Sequence, residues 1–505
     1  MGERLRVGID VGGTNTDAVA IDDAGVVWAR IKEPTTADPT DGILAALRTV
    51  TAGHEIDRVA LGTTHAVNAI VQRRGLRRVA IVRIGAPGTL AVPPCTGWPA
   101  DLVATIVGPV LIARGGVEVD GRIHPLAPDE LRRFAVSLDA DVDAVAITGT
   151  FSPLDASQEE EAAAIVAAGS GLPISLGHRI GGLGLLEREN ATVLNAALGD
   201  VIERVVDGLE AAIATIGPHV HAYLTQNDGT LMTPGVARET PVLTIGSGPS
   251  NSLRGAATLT GRTDVLVADV GGTSTDIGAL TNGFPRESSA GVTVGGVRTN
   301  FRMPDLVSVA VGGGTTIVDG QLSQRSVARR IREDALVFGG SIPTLTDAAV
   351  AAGRVAIGDV VRVAGRDDLA PALGAAETVV ADAIDRMRLS SAGVDLALVG
   401  GGGVLLPDAF PGVRAVVRPE HGDVANAIGA ALAPVAGEAE LIADVGGERR
   451  RAEIERCLDD ARERAIAAGA DGALLETIWV EETPLAYLDR PLSRIRAKVA
   501  GPVVP

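Results

Sequence analysis

The sequence predicts an α/β protein of two similar domains whose glycine turns face one ligand. Three observations predict it. The stretch DVGGTNTDAVA from Asp10 to Ala20 returns as DVGGTSTDIGA from Asp269 to Ala279, identical at eight of eleven positions. Apolar strand-like segments alternate with amphipathic helix-like ones along the chain. A further glycine-rich turn, Gly400–Gly403, follows a strand downstream of the second copy.

In chain order, LRVGI predicts a strand, DVGGT a tight turn, and the apolar residues up to Asp22–Gly25 a return strand. DVLVA and the turn near Asn282–Gly283 frame the second copy in the same way. A spacing of 259 residues between copies is far too long for a solenoid repeat and fits a duplicated domain. Between the copies, Val79–Ile84 and Ala144–Thr148 predict buried strands, and Asp41–Ala52, Pro128–Leu138 and Gln158–Ala168 predict helices. One long helical stretch is expected from about Leu186 to Ile216, punctuated but not broken by Asn190, Asn195 and Asp200. Glycine-rich loops follow at Gly291–Gly296 and Gly312–Gly314, then the strand Ala397–Val399 and a short helix over Asp423–Pro434. A charged helix from about Glu448 and an alternating strand, Leu475–Glu481, predict a small C-terminal α+β lobe.

At 505 residues the chain is long enough for two or three domains, and 46% hydrophobic residues are ample for their cores. The net charge of −18 argues against a phosphate-backbone partner, which recruits clustered Lys and Arg. Lys32 and Lys498 are the only lysines, so nearly all positive charge is arginine. Cys95 and Cys457 stand far apart, outside any metal-ligand spacing, and predict inert thiols in a reducing compartment. MGERLRVGID enters a strand with no apolar leader before it, and no apolar run is long enough for a bilayer, so a cytoplasmic protein is expected.

The chemistry concentrates in the repeat. Two glycines let the backbone turn and bring N–H groups and threonine hydroxyls onto phosphate oxygens. The aspartate ending each strand is placed to hold a divalent cation. Asp10 with Gly12, Gly13, Thr14 and Thr16 makes one jaw; Asp269 with Gly271, Gly272, Thr273 and Thr275 makes the other. Gly401, Gly402 and Gly403 offer flat backbone to a nucleoside. The alternative, two ordinary hairpins, is weakened because the motif occurs twice after a strand. No GxxxxGK[ST] loop and no convincing GxGxxG helix start occurs. Asp17 and Asp276, present in both copies, read as turn or capping carboxylates before catalytic ones. His219 and His221 lack a third ligand and read as a turn entering a strand.

These stretches, with LGTTHAVNAIVQRRG, ERENATVLNAAL, TQNDG, GSGPSNSLRGAA, AVGGGTT and TPLAYL in order, resemble the hydantoinase A/5-oxoprolinase family. That family includes N-methylhydantoinase A chains and a subunit of acetone carboxylase. The resemblance implies duplicated actin-like (ribonuclease H-like) ATPase domains around a nucleotide cleft. It implies an N-terminal hydantoinase-type domain over 1–185, a main ATPase domain over 186–445 and a C-terminal lobe over 446–505. ATP and Mg²⁺ are implied as cofactors, with Asp10 and Asp269 as metal ligands and Asp10, Asp269 and His65 as catalytic groups. The implied reaction is ATP-dependent opening of a cyclic amide. On the substrate side the resemblance points to His65, Asn68, Asn227, Asp228, Gly313 and Gly314. A hydantoinase B-type companion subunit is implied, and self-association is left open. Two other readings stay open: the ATP-using subunit of a ketone carboxylase, and a nucleotide-driven chaperone or enzyme-reactivating ATPase. The chain departs from longer relatives between Ala86 and Gly116, where the substrate pocket is expected, and carries Thr315 where many relatives have serine.

Overall fold

The structure is a computed structural model describing residues 4–35, 39–119, 121–288, 291–390, 392–485 and 491–504. Of the quoted motifs, TPLAYL ends outside the described residues.

Leu5–Val11 is buried along nearly its whole length because it is central. It pairs antiparallel with Asn15–Ile21 and parallel with Ile56–Thr63. Around it runs a nine-stranded sheet in the order Glu476–Pro484, Leu492–Gly501, Val435–Asp444, Leu231–Met232, His221–Thr225, Ile56–Thr63, Leu5–Val11, Asn15–Ile21, Val27–Pro34. The helices Pro39–Val50 and Gly199–Ala214 contribute Ile43, Leu47, Val205 and Leu209 to the core that covers Val7 and Ile9. On the opposite face Val424, Ala427, Ile428 and Ala431 cover Val19 and Ile21.

The second repeat builds a separate sheet. Val265–Val270 pairs antiparallel with Thr275–Thr281 and parallel with Val394–Val399, which is followed by Val413–Val417; Leu306–Val309 adds beside Thr275–Thr281. A four-stranded, all-parallel sheet, Ile174–Leu176, Ala144–Gly149, Val79–Ala86 and Val107–Arg114, stands apart from both. The molecule is a mixed α/β fold with a duplicated core.

Two helices join the halves. Ser247–Thr260 packs Leu253 and Ala256 on the second sheet, while Ala425–Ala431 packs on the first. They cross through glycines: a Cβ on Gly255 would stand 1.8 Å from the Ala425 carbonyl oxygen, and one on Gly429 would stand 1.9 Å from that of Asn251. Only glycine allows backbones this close.

Local pattern misses two features. The stretch Leu186–Ile216 is two helices, Leu185–Ala197 and Gly199–Ala214: the Ala197 carbonyl accepts the Arg77 N–H at 2.9 Å, and the Val201 N–H turns to Leu198 O at 3.0 Å. The tail forms the expected helix and strands, Arg449–Ala467, Glu476–Pro484 and Leu492–Gly501, and its strands extend the nine-stranded sheet through Val435–Asp444. That sheet therefore draws on all three stretches of the chain. No helix of the described residues is long and apolar enough to cross a membrane.

Candidate active site

Each repeat folds into the same hairpin, in the same register. Asp10 stands opposite Asp17 and Val11 opposite Thr16; Asp269 stands opposite Asp276 and Val270 opposite Thr275. The turn closes identically, by Gly12 N–H to Asn15 O at 3.0 Å and by Gly271 N–H to Ser274 O at 2.9 Å. Both turns open into one cavity of about 780 Å³. The turns meet there, since a Cβ on Gly272 would touch Thr14 Cγ2 at 3.5 Å.

The two loops, Asp10, Gly12, Gly13 and Thr14 with Asp269, Gly271, Gly272 and Thr273, line this cavity, and so do Gly401 and Gly402. Gly402 N–H donates to Val270 O at 2.8 Å, so the tetraglycine turn is fastened to the second hairpin. Gly400 takes a φ of 79°, and a Cβ there would stand 2.3 Å from Asp269 Oδ1, which fixes glycine at that position. Gly403 does not line the cavity; its carbonyl accepts from Arg418 at 2.6 Å.

Thr16 and Thr275 are turned away. They fall between cavity-facing neighbours, and in a strand successive side chains point to opposite faces. Thr16 Oγ1 lies 3.4 Å from Thr35 Oγ1, and Thr275 Oγ1 donates to Val311 O at 2.7 Å. Asp17 and Asp276, which share the face of Asp10 and Asp269, line the cavity instead.

Asn68 lines the cavity and donates to Thr64 Oγ1 at 3.2 Å. His65 does not line it; its Nδ1 lies 2.6 Å from Thr63 Oγ1 at the start of the helix His65–Gln72. Asn227 and Asp228 are also elsewhere. The Asn227 amide donates to Val242 O at 3.1 Å and Arg302 O at 3.0 Å and accepts from Gly246 N–H at 2.7 Å, so its polar capacity is used in folding. Asp228 is buried against Lys498 at 2.5 Å and Thr230 Oγ1 at 2.6 Å. Gly313 lines the cavity and Gly314 does not, yet both fasten their loop to the second hairpin, by N–H bonds to Gly271 O and Gly272 O at 3.0 and 2.7 Å.

Three side chains that sequence reasoning missed hold the carboxylates. Asn251 donates to Asp10 Oδ1 and Thr225 Oγ1 at 3.1 and 3.0 Å. Asn426 donates to Asp10 Oδ2 and Asp17 Oδ2 at 3.1 and 2.9 Å. Ser252 Oγ donates to Asp269 Oδ2 at 2.5 Å. The stretch GSGPSNSLRGAA carried the signal for Asn251 and Ser252, since polar residues on a buried helix face need a partner. Ile331, Phe338, Val355 and Ile357 give the cavity an apolar part.

Burial pushes the Asp10 carboxyl up to about 6, with Asn251 opposing and the charge of Asp17 adding. Asp276 is likewise pushed up to about 6, by burial first, against a hydrogen bond from Ser308. Burial also raises Asp269 and Asp17, opposed by Ser252 in the one and by Lys32 in the other. Carboxylates displaced in this way and gathered in one cleft are a feature shared by functional sites. Among the described residues no group of three or more His, Cys, Asp or Glu is gathered as a metal cage. Elsewhere, burial pushes the Cys95 thiol up to about 12 and that of Cys457 to about 11, so both are protonated and inert at neutral pH.

Comparison with known proteins adds ancestry. The model of the hydantoinase/oxoprolinase N-terminal region matches residues 6–169, and the hydantoinase/oxoprolinase model matches residues 188–367. The caprolactamase subunit alpha of Pseudomonas jessenii is 28% identical over 397 residues, 70% of this chain and 55% of that protein. The acetophenone carboxylase gamma subunit of Aromatoleum aromaticum is 24% identical over 399 residues, 69% of this chain and 53% of that one. The chain thus spans about half the length of the curated relatives it matches. The crystal structure of the ATP-dependent caprolactamase from Pseudomonas jessenii superposes with a TM-score of 0.75 at 20% identity, covering 98% of this chain and 87% of the other. Nucleotide-free acetone carboxylase superposes with a TM-score of 0.70 at 18% identity, covering 99% and 88%. At those identities the likeness is one of fold.

Proposed function

We infer the function from one premise: this chain belongs to the hydantoinase/oxoprolinase family. The reading the site supports best is an ATP-dependent enzyme chain that phosphorylates and opens a cyclic amide. The observation that carries it is the confrontation of two matching glycine hairpins, each with a strand-ending aspartate that lines the cavity, across one cavity. One such loop is a phosphate cradle; two facing loops with a flat glycine turn and an apolar part make a place for a whole nucleotide.

Mg²⁺ fits the donor set. Asp10 and Asp269 accept hydrogen bonds from neutral amide and hydroxyl donors, and the charge of Lys32 acts on Asp269 without a direct bond. Gly13 has open space where a side chain would stand. Mg²⁺ uses one or two carboxylates and completes its shell with phosphate oxygens and water, so no cage of three is required. When bound it supplies charge neutralisation on the phosphates. The chain's own groups do the rest. Backbone N–H groups of Gly13, Thr14, Gly272 and Thr273 fix the phosphates, since those of Gly12 and Gly271 close the turns, and Asn251, Asn426 and Ser252 fix the carboxylates.

In the proposed step the amide carbonyl oxygen attacks the terminal phosphorus, and ADP leaves with the former bridging electron pair. Water then adds to the activated carbon, the ring C–N bond breaks as nitrogen takes up a proton, and a second water hydrolyses the resulting acyl phosphate to carboxylate and phosphate. We assign Asn68 to the substrate side, and His65 to holding the Thr63–Thr64 turn that Asn68 engages. A companion subunit is part of this reading, since the caprolactamase and acetophenone carboxylase relatives are themselves named as subunits.

The relatives that carry carboxylase names favour one second reading, in which the activated carbonyl accepts a carbon nucleophile rather than water. Phosphate release from ATP, measured with the companion subunit present, separates them. Dependence on a hydantoin or lactam supports the first; dependence on a ketone with bicarbonate supports the second. Release that responds to neither contradicts both.

A further inference from the structure

The duplication that builds the hairpins continues one strand further, and there its symmetry breaks. In the first half Asp10 stands opposite Asp17 and Asp17 opposite Lys32. In the second half Asp269 stands opposite Asp276 and Asp276 opposite Ser308. The rows correspond position for position, but one ends in an ammonium and the other in a hydroxyl. Lys32 Nζ lies 2.7 Å from both carboxylate oxygens of Asp17 and 3.0 Å from Asp423 O, while Ser308 Oγ donates to Asp276.

Lys32 is also placed to reach a ligand. It lines the cavity, and its side chain is 32% exposed against 4% for the Asp17 it pairs with. Its Cε lies 3.6 Å from where a Cβ of Gly401 would stand, so the chain runs from the first hairpin toward the tetraglycine turn. The other lining cations, Arg329 and Arg332, belong to the same segment as the apolar Ile331. The choice of residue is informative in a chain where 45 Lys and Arg include only two lysines. An arginine fork would bind the Asp17 carboxylate in a fixed bidentate geometry. A compact ammonium with rotatable donors can keep one bond and redirect another.

We propose that Lys32 is a phosphate-binding residue of the nucleotide site, parked on Asp17 when no ligand is present and turned toward the terminal phosphate when one binds. Ser308 gives the second half no counterpart, so the cation is supplied from the first hairpin alone. The proposal rests on the nucleotide reading given above. Asp17 then has the role of a positioning residue that keeps the ammonium at the cavity wall.

The test is the affinity of the full chain for Mg²⁺-ATP, Mg²⁺-ADP and AMP, read by calorimetry, for the native protein and K32M. Lys32 acting on the terminal phosphate predicts that K32M loses about tenfold or more of its preference for ATP over ADP, the scale of one charge-assisted hydrogen bond. A structural Lys32 would instead weaken all three ligands alike and lower the melting temperature. Should K32M not fold, the charge-balanced double variant K32M/D17N is measured instead, with the same expectation. Retained ATP-over-ADP preference in the folded variant overturns the proposal alone. Failure of the native chain to bind any of the three nucleotides overturns the nucleotide reading and this proposal with it.

Discussion

Asp10 and Asp269, separated widely in sequence, are held by neighbouring residues of one helix: Asn251 donates to Asp10 and Ser252 to Asp269. The helix Ser247–Thr260 therefore sets the relation between the two jaws. Ser252→Ala leaves the half-buried Asp269 carboxylate without that donor. We expect kcat for ATP-driven turnover to fall about tenfold or more, with nucleotide still binding, because a buried carboxylate that loses a hydrogen bond shifts by roughly 1–3 kcal/mol. Steady-state kinetics beside a binding isotherm check this.

Gly255→Ala probes the same relation through packing. A methyl group 1.8 Å from the Ala425 carbonyl oxygen must push the two helices apart. Overpacking of this kind costs about 1–3 kcal/mol. We expect a lower denaturation midpoint and weaker nucleotide binding together, measured on one preparation.

Carboxylate burial gives a pH signature. Burial raises Asp10 and Asp276 each to about 6 in the folded chain, from the ordinary carboxyl value of 3.8. Their folded forms bind protons more tightly than the unfolded chain does. The stability this contributes is present in full below about pH 4 and is lost as pH rises through about 6. Each group contributes on the order of 3 kcal/mol to that slope. Asp10→Asn is therefore expected to flatten the stability profile of the ligand-free chain between pH 4 and 6 and to abolish turnover. A profile as steep as that of the native chain contradicts the assignment.

Thr16 and Thr275 provide a control inside the motif. Their hydroxyls face away from the cavity. Thr275→Val is expected to cost about 1 kcal/mol of stability through the lost bond to Val311 O and to leave ATP affinity unchanged. A large loss of affinity in a stable variant places the hydroxyl in the cradle after all.

Much of this was legible in the sequence because it is local. DVGGT fixes a turn and the acidic residue beside it wherever it occurs, so two copies gave two hairpins in one register. Counting alternation from Asp17 puts Thr16 on the other face. The carboxylate partners were harder, since Asn426 reaches Asp10 across more than four hundred residues and no periodicity encodes that pairing. The same holds for the C-terminal strands, whose place beside Val435–Asp444 depends on long-range ladders. Asn227 and Asp228 are the opposite case: a polar turn in a suggestive motif that lies outside the hairpin cavity and bonds to Val242 O, Arg302 O, Thr230 and Lys498 within the fold.

The central claim is that both glycine hairpins grip one nucleotide, and a crystal structure of the full chain with Mg²⁺ and a non-hydrolysable ATP analogue tests it most directly. The account predicts a phosphate chain in contact with Gly12–Thr14 on one side and Gly271–Thr273 on the other, with the cation between Asp10 and Asp269. A nucleotide bound outside this cavity, or touching one hairpin while the other stays unengaged, contradicts it.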